Sequence, residues 1–270
     1  MPAFGIEKGS MGRSAPSAGE IVPKLEESGA VCLPSFFDAP FVEEMRREAV
    51  TLMSAHIDGV TTLDDHQPSG RMVWIDSKVL REPRFPFISQ AFRSHLFREI
   101  AAGYDPKCKF FSNAIITHDH RPCKITDTHF DMRRSLKFMI YLCDIDKDSA
   151  AFRYCLGSHR KNRKLRNRYL LMGGKIEEIL NVPAPTEHVV LTDMEGPAGT
   201  VVIFDTDGFH AAGSLKEGKE RFLIRARTVL SGWFDNSLFR HVAKQNPLRF
   251  FMPLIAPKGR QATRGYTRAT

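Results

Sequence analysis

The sequence predicts a mainly β fold with flanking helices (α+β), a jelly-roll or related two-sheet barrel carrying its helices outside. Two observations predict it. From Lys109 onward the chain carries short β-rich stretches at Phe110–Thr117, Leu136–Cys143, Ala151–Cys155, His188–Leu191, Thr200–Phe204 and Phe222–Leu230. Turn chemistry separates them at Asp144–Asp148, Gly157-Ser158 and Glu195-Gly196-Pro197, a pattern of two-sheet β folds. Ahead of them lies a helical opening. Ile21–Ser28 reads as a helix stopped by Gly29, followed by an extended run at Ala30–Leu33. Asp38 and Pro40 then announce a second helix, with Phe41, Met45, Ala49 and Leu52 at helical spacing. Arg71–Ile75 reads as a strand, and Ile88–Ala102 as one helix with Ile88, Ala91, Phe92, His95, Leu96 and Ile100 on its stripe. A helical insert is expected near 160–180.

At 270 residues, with 42% hydrophobic and 26% charged positions, the chain can bury one sizeable core. The expected organisation is a disordered tail over 1–19, one barrel domain over 20–232 and an irregular extension over 233–270 containing Pro247, Pro253 and Pro257. No apolar run approaches the roughly 18 residues a membrane helix needs, so no membrane role is expected. Five cysteines, odd in number and without a CxxC pair, read as reduced thiols of a cytoplasmic protein. The net charge of +8 bears on association rather than fold.

One constellation carries chemistry. In an extended strand, residues two apart share a face, so His129 and Asp131 offer an imidazole and a carboxylate to one point. His210 follows the apolar run Gly199–Phe204 across the turn Asp205–Gly208, which places a third ligand at a strand end. Two His and one carboxylate on one side of a metal leave positions open, the arrangement of non-haem Fe(II) oxygenases. His118-Asp119-His120 is the rival pair, but Arg121, Pro122, Cys123 and Lys124 follow where a ligating Glu would be expected. These two histidines are read as loop residues near the site. Asp205 and Asp207 are read as turn formers.

The stretches Thr128-His129-Phe130-Asp131, Leu136–Leu142 followed by Cys143-Asp144, and Leu156-Gly157-Ser158-His159-Arg160 resemble successive blocks of the phytanoyl-CoA dioxygenase family. Gly199–Phe204, His210 and Arg221 continue the resemblance in order. It implies a double-stranded β-helix (jelly-roll, cupin-like) that uses Fe(II), 2-oxoglutarate and O2. On that match His129, Asp131 and His210 hold iron and act in catalysis. Arg221 binds the far carboxylate of 2-oxoglutarate, as a guanidinium fork suits. Arg225 and Arg227 share its strand face and are fallback candidates. A carboxylate at Asp131 favours hydroxylation over halogenation, with release of succinate and CO2. Thr128 and Met139 stand where relatives often carry aromatic residues, and both reshape the pocket wall.

Arg160–Arg168 packs six cations into nine residues. A solvated helix is its plainer reading, and an electropositive lid over an anionic or carrier-linked small molecule the sharper one. Two other classes stand beside the oxygenase: a catalytically silent barrel that binds an anionic ligand or partner, and a basic nucleic-acid-binding protein. The second lacks interleaved aromatics and any recognised binding motif.

Overall fold

The computed structural model describes residues 16–63, 69–108, 113–131, 133–171, 181–183 and 189–230. Helix α1, Ala18–Ser28, opens where the Glu20 carboxylate accepts from both the amide and the hydroxyl of Ser17, each at 2.8 Å. The tail expected over 1–19 therefore gives way to helix at Ala18, while residues 1–15 and the extension 233–270 lie outside the described residues. Gly29 closes the helix at φ 81°, and a Cβ there would lie 2.5 Å from the Tyr154 hydroxyl. The run β1, Ala30–Leu33, follows as expected. Helix α2, Ala39–Ser54, starts where Asp38 accepts from the Phe41 amide at 2.9 Å, and it buries Phe41, Met45, Ala49 and Leu52.

The single helix expected over Ile88–Ala102 is two: α3, Pro86–Phe92, and α4, His95–Tyr104. Ser94 is the reason. Its backbone is extended and its hydroxyl accepts from the Phe97 amide at 3.2 Å, so it caps a new helix instead of continuing the old one. The break turns His95 out to solvent, although the stripe had counted it as inward.

Among the described residues fourteen strands, β1 included, form antiparallel pairings. The larger sheet contains β1, β2 (Val60–Thr62), β3 (Gly70–Asp76), β4 (Asn113–Asp119), β7 (Ser135–Tyr141), β11 (Val201–Asp205) and β14 (Arg221–Val229), in the order β1-β11-β7-β14-β4-β3-β2. The smaller sheet runs β10-β8-β12-β6-β9, from β6 (His129–Asp131), β8 (Phe152–Tyr154), β9 (Asn181–Pro183), β10 (Thr192–Met194) and β12 (His210–Ala212). A two-stranded ribbon joins β5 (Cys123–Lys124) to β13 (Ser214–Leu215). The strand expected at His188–Leu191 is displaced to Thr192–Met194, because Met194 is the residue that buries its side chain, opposite Phe152; His188 lies outside the described residues.

Alternation along β7 shows how the sheets face one another. Phe138 points outward, 4.8 Å from the Phe97 ring of α4. Its neighbours point inward: Lys137 meets Asp131 of β6, and the Tyr141 hydroxyl donates to the Met194 carbonyl at 2.7 Å. Phe152 and Phe204 close the inner layer with ring centroids 4.2 Å apart. This is a jelly-roll barrel with helices on its outer face, as the sequence predicts. Helix α5, Ser158–Leu171, occupies the first part of the expected insert; residues 172–180 lie outside the described residues. Among the described residues no helix is long and apolar enough to cross a membrane.

Candidate metal centre

His129 and Asp131 sit on β6, and β12 pairs with it so that His210 lies directly opposite His129. Their imidazole centroids are 4.5 Å apart. One ligand atom from each of His129, Asp131 and His210 falls within 4.8 Å of the other two. Both imidazoles are anchored the same way. Nδ1 of His129 lies 2.7 Å from the Asp127 carbonyl, and Nδ1 of His210 lies 2.8 Å from the Gly208 carbonyl. A carbonyl only accepts, so each Nδ1 carries a proton and each Nε2 is the ring nitrogen left for the site. Both Nε2 atoms lie 3.5 Å from the same oxygen, Oδ1 of Asp131. Metal–ligand bonds of about 2 Å place adjacent ligands about 3 Å apart, so the three atoms stand nearly at coordination spacing.

The charge states suit a cation. Burial pushes the His210 imidazole down to about 3, so the ring is neutral. Burial would raise the Asp131 carboxyl, but the Lys137 ammonium beside it outweighs that and holds the group well below the usual carboxylate range. His210 and Asp131 would therefore meet a metal with no proton to shed.

Lys137 is the residue the sequence reading passed over. Its ammonium donates to Asp131 Oδ2 at 2.7 Å, which leaves Oδ1 turned to the histidines. Burial lowers its pKa, and Arg225 and Arg227 push the same way against Asp131. The signal was present: a lone lysine on the inward parity of an apolar strand needs a buried partner.

Arg221 begins β14, opposite Asp119 of β4. One of its terminal nitrogens donates to Asp119 Oδ2 at 3.0 Å, and Ser69 donates to the other carboxylate oxygen at 2.5 Å. The Arg221 Nε is buried and has no hydrogen-bond partner. Arg225 and Arg227 follow on the same face, opposite Met139 and Lys137 of β7. The Arg227 guanidinium lies 5.5 Å from the Trp74 ring centroid.

The remaining candidates lie elsewhere. His118 ends β4 on the outer face, 2.9 Å from Glu220 and stacked on Phe222, so the expectation that it lies in a loop by the site is corrected. Asp205 and Asp207 do form the turn, with the Asp207 amide donating to Asp205 Oδ1 at 2.9 Å. They also anchor α5. Both are fully buried; Arg163 donates to Asp205 at 2.6 Å and to Asp207 at 3.0 Å, Arg166 bonds Asp207, and Arg134 reaches both carboxylates at 3.4 Å. The basic cluster thus divides. Arg163 and Arg166 turn inward, Arg160 donates to the Glu26 carbonyl at the end of α1, and Lys161, Lys164 and Arg168 face solvent. Neither a wholly solvated helix nor a wholly free cationic lid describes it. His159 is buried beneath the same Glu26 carbonyl.

Gly208 ties this turn to the metal site. Its carbonyl orients His210, and a Cβ on it would lie 1.9 Å from the hydroxyl of Tyr154, a fully buried side chain bonded to the Asp205 carbonyl. Tyr154 has no room to withdraw. Gly208→Ala is expected to cost about 1–3 kcal/mol, the usual range for overpacking, read as a lowered midpoint in thermal unfolding.

Comparison with known proteins places the chain. Residues 111–222 match the family model of phytanoyl-CoA dioxygenase (PhyH), somewhat less than half of the sequence. No curated protein matches the chain. Among solved structures, the epimerase SnoN in complex with Fe3+, alpha ketoglutarate and nogalamycin RO superposes at a TM-score of 0.59 and 15% identity, over 79% of this chain and 83% of that one. EctD from S. alaskensis with 2-oxoglutarate and 5-hydroxyectoine gives 0.59 at 12% identity, over 84% and 82%. HygX from Streptomyces hygroscopicus with nickel, 2-oxoglutarate and hygromycin B gives 0.54 at 15%, over 78% and 87%. At such identities these likenesses carry the fold.

Proposed function

We propose that this chain, a phytanoyl-CoA dioxygenase-like protein of the 2-oxoglutarate-dependent non-haem iron class, hydroxylates a small molecule with iron held by His129, Asp131 and His210. The observation that carries the reading is the convergence of the His129 and His210 Nε2 atoms on Asp131 Oδ1, each at 3.5 Å. The donor set fits the group, since two neutral nitrogens and one carboxylate are what a facial ferrous site takes. Arg221 fits the co-substrate: its buried, unpartnered Nε is a donor in want of an acceptor, and a distal carboxylate supplies one.

The bound ferrous ion would supply dioxygen activation coupled to the oxidative decarboxylation of 2-oxoglutarate to succinate and CO2. The chain's own residues set the geometry. Asp127 and Gly208 carbonyls hold the imidazole protons away from the ion, and Lys137 holds one carboxylate oxygen so that the other faces it. Asp119 fixes the Arg221 guanidinium, and Phe152 and Phe204, packed beside His210, keep water from that flank.

Anaerobic addition of Fe(II) and 2-oxoglutarate tests this through the weak visible charge-transfer band of the chelate. The wild type is expected to form it. Arg221→Ala is expected to bind iron normally but to lose about 10- to 100-fold in affinity for 2-oxoglutarate, the worth of a charged hydrogen-bond pair. A wild type that forms no band, or an Arg221→Ala protein with unchanged affinity, would refute the corresponding assignment.

A further inference from the structure

The barrel interior carries more positive charge than the proposed chemistry uses. On β14 the inward parity reads Arg221, Leu223, Arg225, Arg227, and register sets Arg227 opposite Lys137 and Arg225 opposite Met139. Lys137 is answered by Asp131, and Arg221 by Asp119. A ferrous ion and a dianionic 2-oxoglutarate cancel each other. Two guanidinium charges are left over. Arg227 leans on the face of Trp74, which steadies a cation but does not neutralise it. Arg225 makes no hydrogen bond or ion pair with any described residue. Along β14 it stands between Arg221 and Arg227, and Arg227 lies opposite the Lys137 that bonds Asp131. Burial and Arg221 push its pKa down to about 10, still far above neutrality. Arg225 is half-buried with no carboxylate bonded to it, the setting in which a ligand's anion is the natural partner.

We infer that Arg225 binds an oxyanion group of the primary substrate, which is therefore a carboxylic or phosphoric acid rather than a neutral or cationic molecule. This rests on the oxygenase reading, since it assigns the co-substrate to Arg221 and leaves Arg225 for the molecule being oxidised. The register supports the division. Arg221 and Arg225 are four residues apart on one strand, about 13 Å, so two separate acid groups are accommodated. Arg227 stands two residues beyond and adds to the field without being the anchor.

The test uses the full chain loaded anaerobically with Fe(II) and 2-oxoglutarate. Acetate, inorganic phosphate and the neutral isostere acetamide are titrated, reading the chelate band and, in a Trp233→Phe background, the fluorescence of Trp74. Wild type is expected to respond to acetate or phosphate and not to acetamide, and the stronger of the two anions identifies the acid. Arg225→Met is expected to weaken that response at least about tenfold, with Arg225→Lys between them. Both variants are expected to keep 2-oxoglutarate affinity within about threefold of wild type, which also reports that they fold. Equal responses to acetate and acetamide, or an Arg225→Met protein as responsive as wild type, would overturn the proposal. So would an Arg225→Met protein that loses 2-oxoglutarate while Arg221→Ala keeps it, for Arg225 would then be the co-substrate anchor. Should wild type form no chelate band, the oxygenase reading falls. The same titration on metal-free protein, followed at Trp74, still decides whether Arg225 takes an anion.

Discussion

His210→Ala is expected to lower ferrous affinity by at least about 100-fold, beyond the 10- to 100-fold typical of losing an outer partner, and to abolish the chelate band at stoichiometric iron. The reason is geometric as well as chemical. His210 faces His129 across the β6–β12 pair, and its Nε2 is one of only two imidazole nitrogens aimed at Asp131 Oδ1. Alanine there leaves the strand pairing intact, because the β6–β12 bonds are made by backbone, so the fold is expected to survive. A bidentate His and carboxylate remainder holds iron poorly. Metal content after gel filtration, set beside an unchanged far-ultraviolet spectrum, checks the expectation. Retention of iron at wild-type stoichiometry would remove His210 from the ligand set.

Asp207→Ala is expected to destabilise the fold by about 3–5 kcal/mol, the cost of stripping a buried cation of its partner. Asp207 is fully buried and bonded to Arg166, itself 4% exposed, while Arg163 and Arg134 approach its other oxygen. Removing the carboxylate takes its Asp207 partner from the buried Arg166 guanidinium on α5. Urea unfolding measures the loss. Because Asp207 lies three residues before His210, weaker iron retention is expected to accompany it. Asp207→Asn separates shape from charge and acceptors: it keeps the side-chain shape but loses the charge and exchanges one acceptor oxygen for an NH2 donor. A loss below about 1 kcal/mol, the ceiling of an exposed pair, would mean that the network is no more than a surface ornament.

The convergence of His129, Asp131 and His210 was legible because it depends on period two, a property of any extended chain. His129 and Asp131 had to share a face once β6 was a strand, and His210 had to sit near a strand end after the apolar run that became β11. The cationic face of β14 was legible for the same reason. What the linear sequence did not disclose were relations between elements. Asp205 and Asp207 carried strong turn signals, and nothing local told that α5 would send Arg163 and Arg166 into that turn. Lys137 looked like one polar position in a strand until Asp131 was placed opposite it. Ser94 fits either a helix interior or a cap, and helical periodicity of its neighbours outvoted it. The shift of a strand from His188–Leu191 to Thr192–Met194 followed from pairing with β8, which apolar content alone does not encode.

The two ligand imidazoles take their orientation from main-chain oxygens two residues upstream in their own segments, Asp127 and Gly208. No neighbouring side chain chooses which ring nitrogen is protonated. Substrate pockets diverge by exchanging side chains, and such exchanges cannot reach this choice. The wall residues of the barrel, Trp74 and Met139 among them, are thus free to be rebuilt for a different molecule while the ring tautomers stay fixed by peptide geometry.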